Sequence, residues 1–178
     1  MRVRRIVCVL AAACLAMPLG SMAAYKAGAH QWDVKGGRLV VMSGVMSDHA
    51  VEAYFNYTFY FDSAVDKKLY QVPILKGRAQ QKFDLTIIGS GDGEISAQDV
   101  KVVTSRDSTY LLVGEKGGDN APYGAGPVDV RVYKLVEGND GDWAYYFQPI
   151  RTDRYPMKKN YTVEQAIAES EKRIASGE

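Results

Sequence analysis

The sequence predicts a mainly β protein: an antiparallel β-sandwich or open barrel of about eight strands with one C-terminal α-helix. Three observations predict it. Runs rich in β-branched and aromatic residues recur between clusters of Gly, Asn, Asp and Ser. No apolar spacing of helical period occurs in residues 25–160. A single amphipathic stretch, opened by a capping signal, ends the chain. Parallel strands would need helical crossovers between them, so the expected pairing is antiparallel.

Residues 1–24 read as a signal peptide. Arg2, Arg4 and Arg5 form its basic start, and the apolar core that runs to Met17 is too short to span a bilayer. Pro18 and Gly20 break that core, and Ser21-Met22-Ala23 or Met22-Ala23-Ala24 supplies the small-x-small pattern that a signal peptidase cuts. Cleavage leaves Ala24 or Tyr25 as the new start, and residues 25–178 form one β-rich domain in the periplasm, with no stable membrane insertion once the leader is gone. A lipoprotein anchor at Cys14 is disfavoured, because the expected leucine is missing and the apolar stretch before it is short. Both cysteines, Cys8 and Cys14, lie in the leader, so the exported domain has neither a disulfide nor a thiol ligand and rests on its packed core.

The chain carries 22 basic and 21 acidic residues, and three of the basic ones are the leader arginines, so the domain beyond is slightly acidic. Its basic doublets, Lys67-Lys68, Lys158-Lys159 and Lys172-Arg173, are short and separate. A nucleic-acid surface needs a clustered positive field, so no nucleic-acid partner is expected.

The elements follow in order. After a polar entry over residues 25–37, residues 38–46 form a β-branched strand bounded by Gly36-Gly37 and Ser47-Asp48; Gly44 inside it marks a bulge or a close backbone approach. Residues 51–62 form the next strand and pair with it as a hairpin. Six aromatics occupy ten positions of residues 53–62, and side chains alternate faces along a strand. Phe55, Tyr57, Phe59 and Phe61 therefore share a core side, while Tyr54, Asn56, Thr58 and Tyr60 share the other.

Residues 68–75 contain Pro73, which cannot donate to a ladder and places the segment at an edge or ends it. Residues 82–88 alternate, with Phe83, Leu85 and Ile87 on one face and Asp84 and Thr86 on the other, and the glycines at 89, 91 and 93 suit a tight turn. Residues 98–104 and 108–115 pair around Ser105-Arg106-Asp107. Residues 116–126, with four glycines, one proline and almost no apolar content, are expected to be an exposed, mobile loop. Residues 128–133 and 143–148 form a hairpin across the turn at 138–142, and residues 152–160 are irregular. Thr162 caps a helix over residues 163–176, Gln165 closes a capping box, and Val163, Ala166, Ile167 and Ile174 make a thin apolar stripe that docks on the sheet.

Chemistry is sparse. Only His30 and His49 exist. His49 adjoins Ser47 and Asp48, but neighbours in sequence point in different directions, so adjacency makes no triad and a turn is expected. His30 has no second histidine at ligand spacing. Asp92-Gly93-Glu94 and Asp140-Gly141-Asp142 do not fill a calcium loop and read as turns. No helix follows Gly89-x-Gly91-x-Gly93, so no phosphate cradle forms. No catalytic residue, metal ligand or cofactor is expected. The feature above background is aromatic density, with 12 tyrosines against 5 phenylalanines. The face of Tyr54, Asn56, Thr58 and Tyr60 joins flat rings to hydrogen-bonding tips and is the candidate ligand surface; the alternative is that these are sheet residues covered by a neighbour or by the helix.

The order of segments resembles the carbapenem intrinsic-resistance proteins of the CarG type. Asp48-His49, Asn56-Tyr-Thr-Phe-Tyr60, Leu69-Tyr-Gln-Val-Pro-Ile74, Phe83-Asp-Leu-Thr-Ile-Ile88, the strand pair over 99–113, residues 128–133 and Tyr145-Tyr146-Phe147 carry the resemblance, which spans about residues 31–149. It implies a periplasmic, non-enzymatic β protein that protects against a β-lactam without hydrolysing it. The family's Asp- and Asn-rich turn in the opening strand region is here only Asp33-Val-Lys-Gly-Gly37, so no binding residue is carried over. The partners that suit such a protein are a small-molecule ligand or a periplasmic protein, with a homodimer as a further option. Two other classes stand beside it: a periplasmic inhibitor or immunity protein acting through residues 116–126, and a hydrolase using His49.

Overall fold

The structure, a computed structural model, describes residues 25–48, 53–77, 82–91, 96–118, 121, 123–138 and 143–177. The aromatic run forms β3 (Ala53–Ser63), and both of its edges are paired. Along one edge lies β2 (Gly37–Asp48), antiparallel from Gly37↔Ser63 to Asp48↔Ala53. Along the other lie β7 (Thr86–Gly91) at the start of β3 and β4 (Leu69–Gln71) at its end. Beyond β2 lies β1 (Gly28–Val34), so the polar entry expected at residues 25–37 is largely a strand. Its apolar content is low because only His30, Trp32 and Val34 turn inward, while Ala29, Gln31 and Asp33 face solvent.

From β7 the sheet runs on through β8 (Ser96–Ser105), β9 (Ser108–Lys116), β10 (Val128–Glu137) and β11 (Tyr145–Tyr155) to β5 (Ile74–Leu75) and β6 (Phe83–Asp84). These eleven strands make one open sheet, antiparallel except for the β11–β5 contact at Phe147↔Ile74. The expected mainly β fold with one C-terminal helix is therefore present; β1 adds one strand to the expected count, and the division of residues 68–75 and 82–88 into two strands each adds two more. Residues 69–75 tie its two arms together, since β4 pairs with β3 and β5 with β11. Pro73 sits between them without disrupting either ladder, and its carbonyl accepts from the Phe147 N–H at 2.8 Å.

The even alternation expected across residues 82–88 is interrupted. The chain changes partner at Leu85, leaving β5 after Asp84 and joining β3 at Thr86, so Leu85 is 40% exposed while Ile87 is buried. The segment expected to be irregular from residue 152 is instead the second half of β11. A bulge between Val132 and Tyr133 of β10 makes this possible: Tyr133 pairs with Pro149 and Val132 with Arg151, leaving Ile150 as the extra residue. A bulge shifts the pleat by one position, so Phe147 joins the interior core while Tyr155 joins the core beneath the helix.

Two apolar cores result. The first lies between the arms and contains Leu39, Tyr57, Phe59, Phe61, Leu111 and Phe147, all fully or almost fully buried. Phe55 packs against it half-buried instead of joining it. The second lies between β8–β10 and helix α1 (Val163–Ser176), with Leu112, Val128, Val130 and Val132 facing Val163, Ala166 and Ile167. Strands β8 and β9 are covered on both faces, which explains their nearly continuous apolar runs. Thr162 caps α1 through its side chain, and Gln165 completes the capping box. Gly177, at φ 84°, ends the helix in the left-handed conformation that glycine adopts freely.

Gly114 sets the distance between helix and sheet. A Cβ there would lie 2.7 Å from Val163 Cγ1 and 3.0 Å from Ile167 Cδ1. Gly114→Ala should therefore overpack the second core and cost about 1–3 kcal/mol in chemical denaturation. Gly77→Ala, with nothing within 4 Å of the new methyl, should stay within about 0.5 kcal/mol of the parent.

Candidate functional site

The two faces of β3 separate as the alternation requires. Tyr57, Phe59 and Phe61 are buried, whereas Tyr54 is 37% exposed and Asn56, Thr58 and Tyr60 are half-buried on the outer face. The helix does not cover these four residues, since α1 packs on β8, β9 and β10. Cross-strand pairing places Val40, Met42 and Gly44 of β2 beside Tyr60, Thr58 and Asn56, and Thr86 and Ile88 of β7 beside Thr58 and Asn56. The result is an open, gently apolar surface in which Met42 and Ile88 are also exposed. His30 sits near the chain entry, where its Nε2 lies 2.6 Å from the Lys26 carbonyl oxygen and its ring packs on Tyr25. His49, Asp92 to Glu94 and Asp140 to Asp142 lie outside the described residues.

Inside the sheet the structure assembles a polar cluster that sequence spacing does not announce. Tyr57 donates its hydroxyl to Asp99 Oδ1 at 3.1 Å, and the same oxygen accepts the Val100 N–H at 2.8 Å. Asp99 is 3% exposed. Tyr25 enters edge-on against Tyr57 and Trp32, and its hydroxyl accepts the Val102 N–H at 2.6 Å. This bond has a structural cause: the β7–β8 ladder stops at Ser90↔Gln98, so the next stretch of β8 has no strand on that side. The tyrosine satisfies a buried amide that would otherwise be orphaned. Burial pushes the Tyr25 phenol up to about 12, and it pushes Tyr57 up as well, with the Asp99 carboxylate adding to the effect. Both hydroxyls therefore stay protonated, as uncharged hydrogen-bonding groups.

A cavity of about 550 Å³ lies at the other side of the first core. Strand β5 with Lys76 and Asp84 forms one wall, and Arg131 and Tyr133 of β10 with residues 149–152 of β11 form the opposite one. Its apolar floor comes from Ile74, Tyr133 and Pro149, and its rim is ionic. Lys76 Nζ lies 2.8 Å from Asp84 Oδ1, and Arg131 Nη2 lies 3.0 Å from Glu115 Oε2. Arg151 Nε and Arg173 Nη1 approach the same oxygen of the buried Asp153 at 3.2 and 3.3 Å. Burial raises the Tyr133 phenol, and the charges of Arg131, Asp84, Lys76 and Glu115 all act on it. The cavity residues come from four strands far apart in sequence, so no local motif marks them. A smaller cavity of about 270 Å³ opens at the far end of the sheet, where Tyr145 stacks on Phe61 at 3.8 Å.

Residues 117, 118, 121, 123, 125 and 127 are exposed, as expected of the segment after β9, and Tyr123 is 66% exposed. Lys116 departs from that expectation: it is the last residue of β9 and is buried. The base of the segment is closed by a bond from the Gly117 N–H to the Pro127 carbonyl at 2.9 Å. Among the described residues, no group of three or more His, Cys, Asp or Glu could hold a metal ion, and no helix is long and apolar enough to cross a membrane.

No family model and no curated protein matches the chain. Among solved structures, the crystal structure of CarG matches it with a TM-score of 0.62 at 16% identity, covering 84% of this chain and 94% of that one. The likeness extends over nearly all of the CarG chain and is one of fold.

The raised phenols set a pH limit. Below the ordinary tyrosine value of about 10, the hydroxyls are neutral folded or unfolded, and their contribution to stability is complete. Above it the unfolded chain ionises while the folded one resists, so stability should fall as pH rises from there toward about 12. Tyrosinate absorbance from Tyr25 and Tyr57 should appear together with loss of near-ultraviolet dichroism. Tyr25→Phe should strand the Val102 amide and cost about 1–3 kcal/mol at neutral pH, measured by denaturant unfolding.

Proposed function

We propose that this chain is an exported, non-enzymatic protective protein that binds a small molecule in the periplasm and lowers the toxicity of a β-lactam. The fold it shares with CarG over 84% of its length carries the reading. The basic, apolar and small-x-small parts of residues 1–24 support export. Two surfaces suit a small ligand: the outer face of Tyr54, Asn56, Thr58 and Tyr60, and the cavity between β5 and β10–β11. The cavity has the volume common to small-molecule sites, and its lining sets charged residues beside Ile74, Tyr133 and Pro149.

A β-lactam-sensitive Gram-negative host that exports the chain should tolerate a higher carbapenem concentration than one exporting a control protein. Unchanged sensitivity, with the protein present in the periplasmic fraction, sinks the protective function. The purified protein should leave the drug intact by mass spectrometry; progressive loss of drug would make it an enzyme instead.

A second reading, an inhibitor or immunity protein, is favoured by the exposed residues 117, 118, 121, 123, 125 and 127 and by the bond that closes the base of their segment. Such a loop, held at its stem and carrying an exposed tyrosine, suits insertion into a partner's cleft. Here deletion of residues 118–125 should abolish capture of a periplasmic partner enzyme, and undiminished capture would end the idea.

A further inference from the structure

The cavity between β5 and β10–β11 differs from the outer aromatic face in the kind of molecule it can hold. Its cations, Lys76 and Arg131, stand over an apolar floor, and each is engaged by a carboxylate of this chain itself. Those two pairs are about half solvated, with side-chain exposures of 55% and 48% for Lys76 and Asp84 and 44% and 53% for Arg131 and Glu115. Ion pairs this exposed are weak, so an incoming carboxylate can take the place of Asp84 or Glu115 at little cost. Burial favours the exchange, because a ligand that covers Pro149 and the exposed Ile150 removes apolar surface from water while it supplies the anion.

The charge balance of the lining points the same way. Lys76, Arg131 and Arg151 line the cavity against one lining carboxylate, Asp84. An arginine also presents a planar fork that suits a carboxylate, and Arg131 offers its fork at the mouth. Tyr133, buried and neutral, lines the same cavity.

We propose that this cavity is a binding site for an amphipathic organic carboxylate of one- or two-ring size, with its anion between Lys76 and Arg131 and its apolar body on Ile74, Tyr133 and Pro149. The proposal rests on the binding reading above and deepens it, since a carbapenem is itself a bicyclic carboxylate.

The test is titration of the isotope-labelled protein with 1-naphthoate and with its uncharged counterpart, 1-naphthamide, followed by amide chemical shifts. Naphthoate should bind saturably, with the largest shifts at Lys76, Arg131 and Thr152. Naphthamide should bind at least about tenfold more weakly, and so should naphthoate to Lys76→Gln/Arg131→Gln, whose exposed substitutions should leave the thermal midpoint in place. Equal binding of the two probes, shifts centred on Tyr54 and Tyr60, or no saturation by about 10 mM would each overturn the proposal. Naphthoate binding in a protein that confers no drug tolerance keeps the site and removes the protective function. Tolerance without naphthoate binding removes the site alone.

Discussion

Strand β3 is hydrogen-bonded along both edges, by β2 on one side and by β7 and then β4 on the other. A strand so placed cannot shift by one residue without moving every side chain to the opposite face, so its register fixes which rings are buried. Tyr57, Phe59 and Phe61 then form the wall against which Leu39, Val41, Ile87, Leu111 and Phe147 close. Because residues 25–178 contain no cysteine, the fold depends on this burial, and substitution of one such ring by alanine costs of the order of 3–5 kcal/mol.

The same strand introduces the polar exception. Tyr57 carries its hydroxyl into the core, where Asp99 accepts it, and the pair is tolerated because every named partner is a hydrogen-bonding group at normal distance. Tyr25 belongs to this network for a different reason. The β7–β8 ladder ends early, the sheet opens at that corner, and the free amide of Val102 is satisfied by a side chain from the chain entry. The corner that lets one sheet fold over itself thus uses an aromatic hydroxyl in place of a missing strand.

At the opposite end, residues 69–75 pass from β3 to β11 and hold the arms at a separation that leaves the cavity between β5 and β10–β11. The helix works on the outside. It covers β8–β10, is anchored by Tyr155 to Ser170 at 2.8 Å and by Arg173 to Asp153, and leaves the outer face of β3 uncovered. One side of the sheet is therefore structural over half its width and open over the rest, while the concave side is core in the middle and cavity at the margin.

Much of this was legible in the residues. Two-residue alternation identified the buried side of β3, Ser105-Arg106-Asp107 marked the turn between β8 and β9, and Thr162 with Gln165 marked the helix start. Three things were not. Strand β1 carries inward residues too few and too polar to register as a strand, and it forms because β2 offers it a complete ladder. The parity of β11 reverses at Ile150, the extra residue opposite Val132 and Tyr133, and this bulge depends on how β11 registers against β10 and not on local periodicity. The cavity draws Lys76 from just past β5, Asp84 from β6, Arg131 from β10 and Thr152 from β11, and only pairing between the two arms brings them together. The sequence by itself determined the fold class, the helix and the core face of β3, because these follow from local periodicity. The tertiary structure alone decided the corner at Tyr25, the switch of faces in β11 and the place where a ligand can sit, because strand order and bulges are properties of pairs of strands.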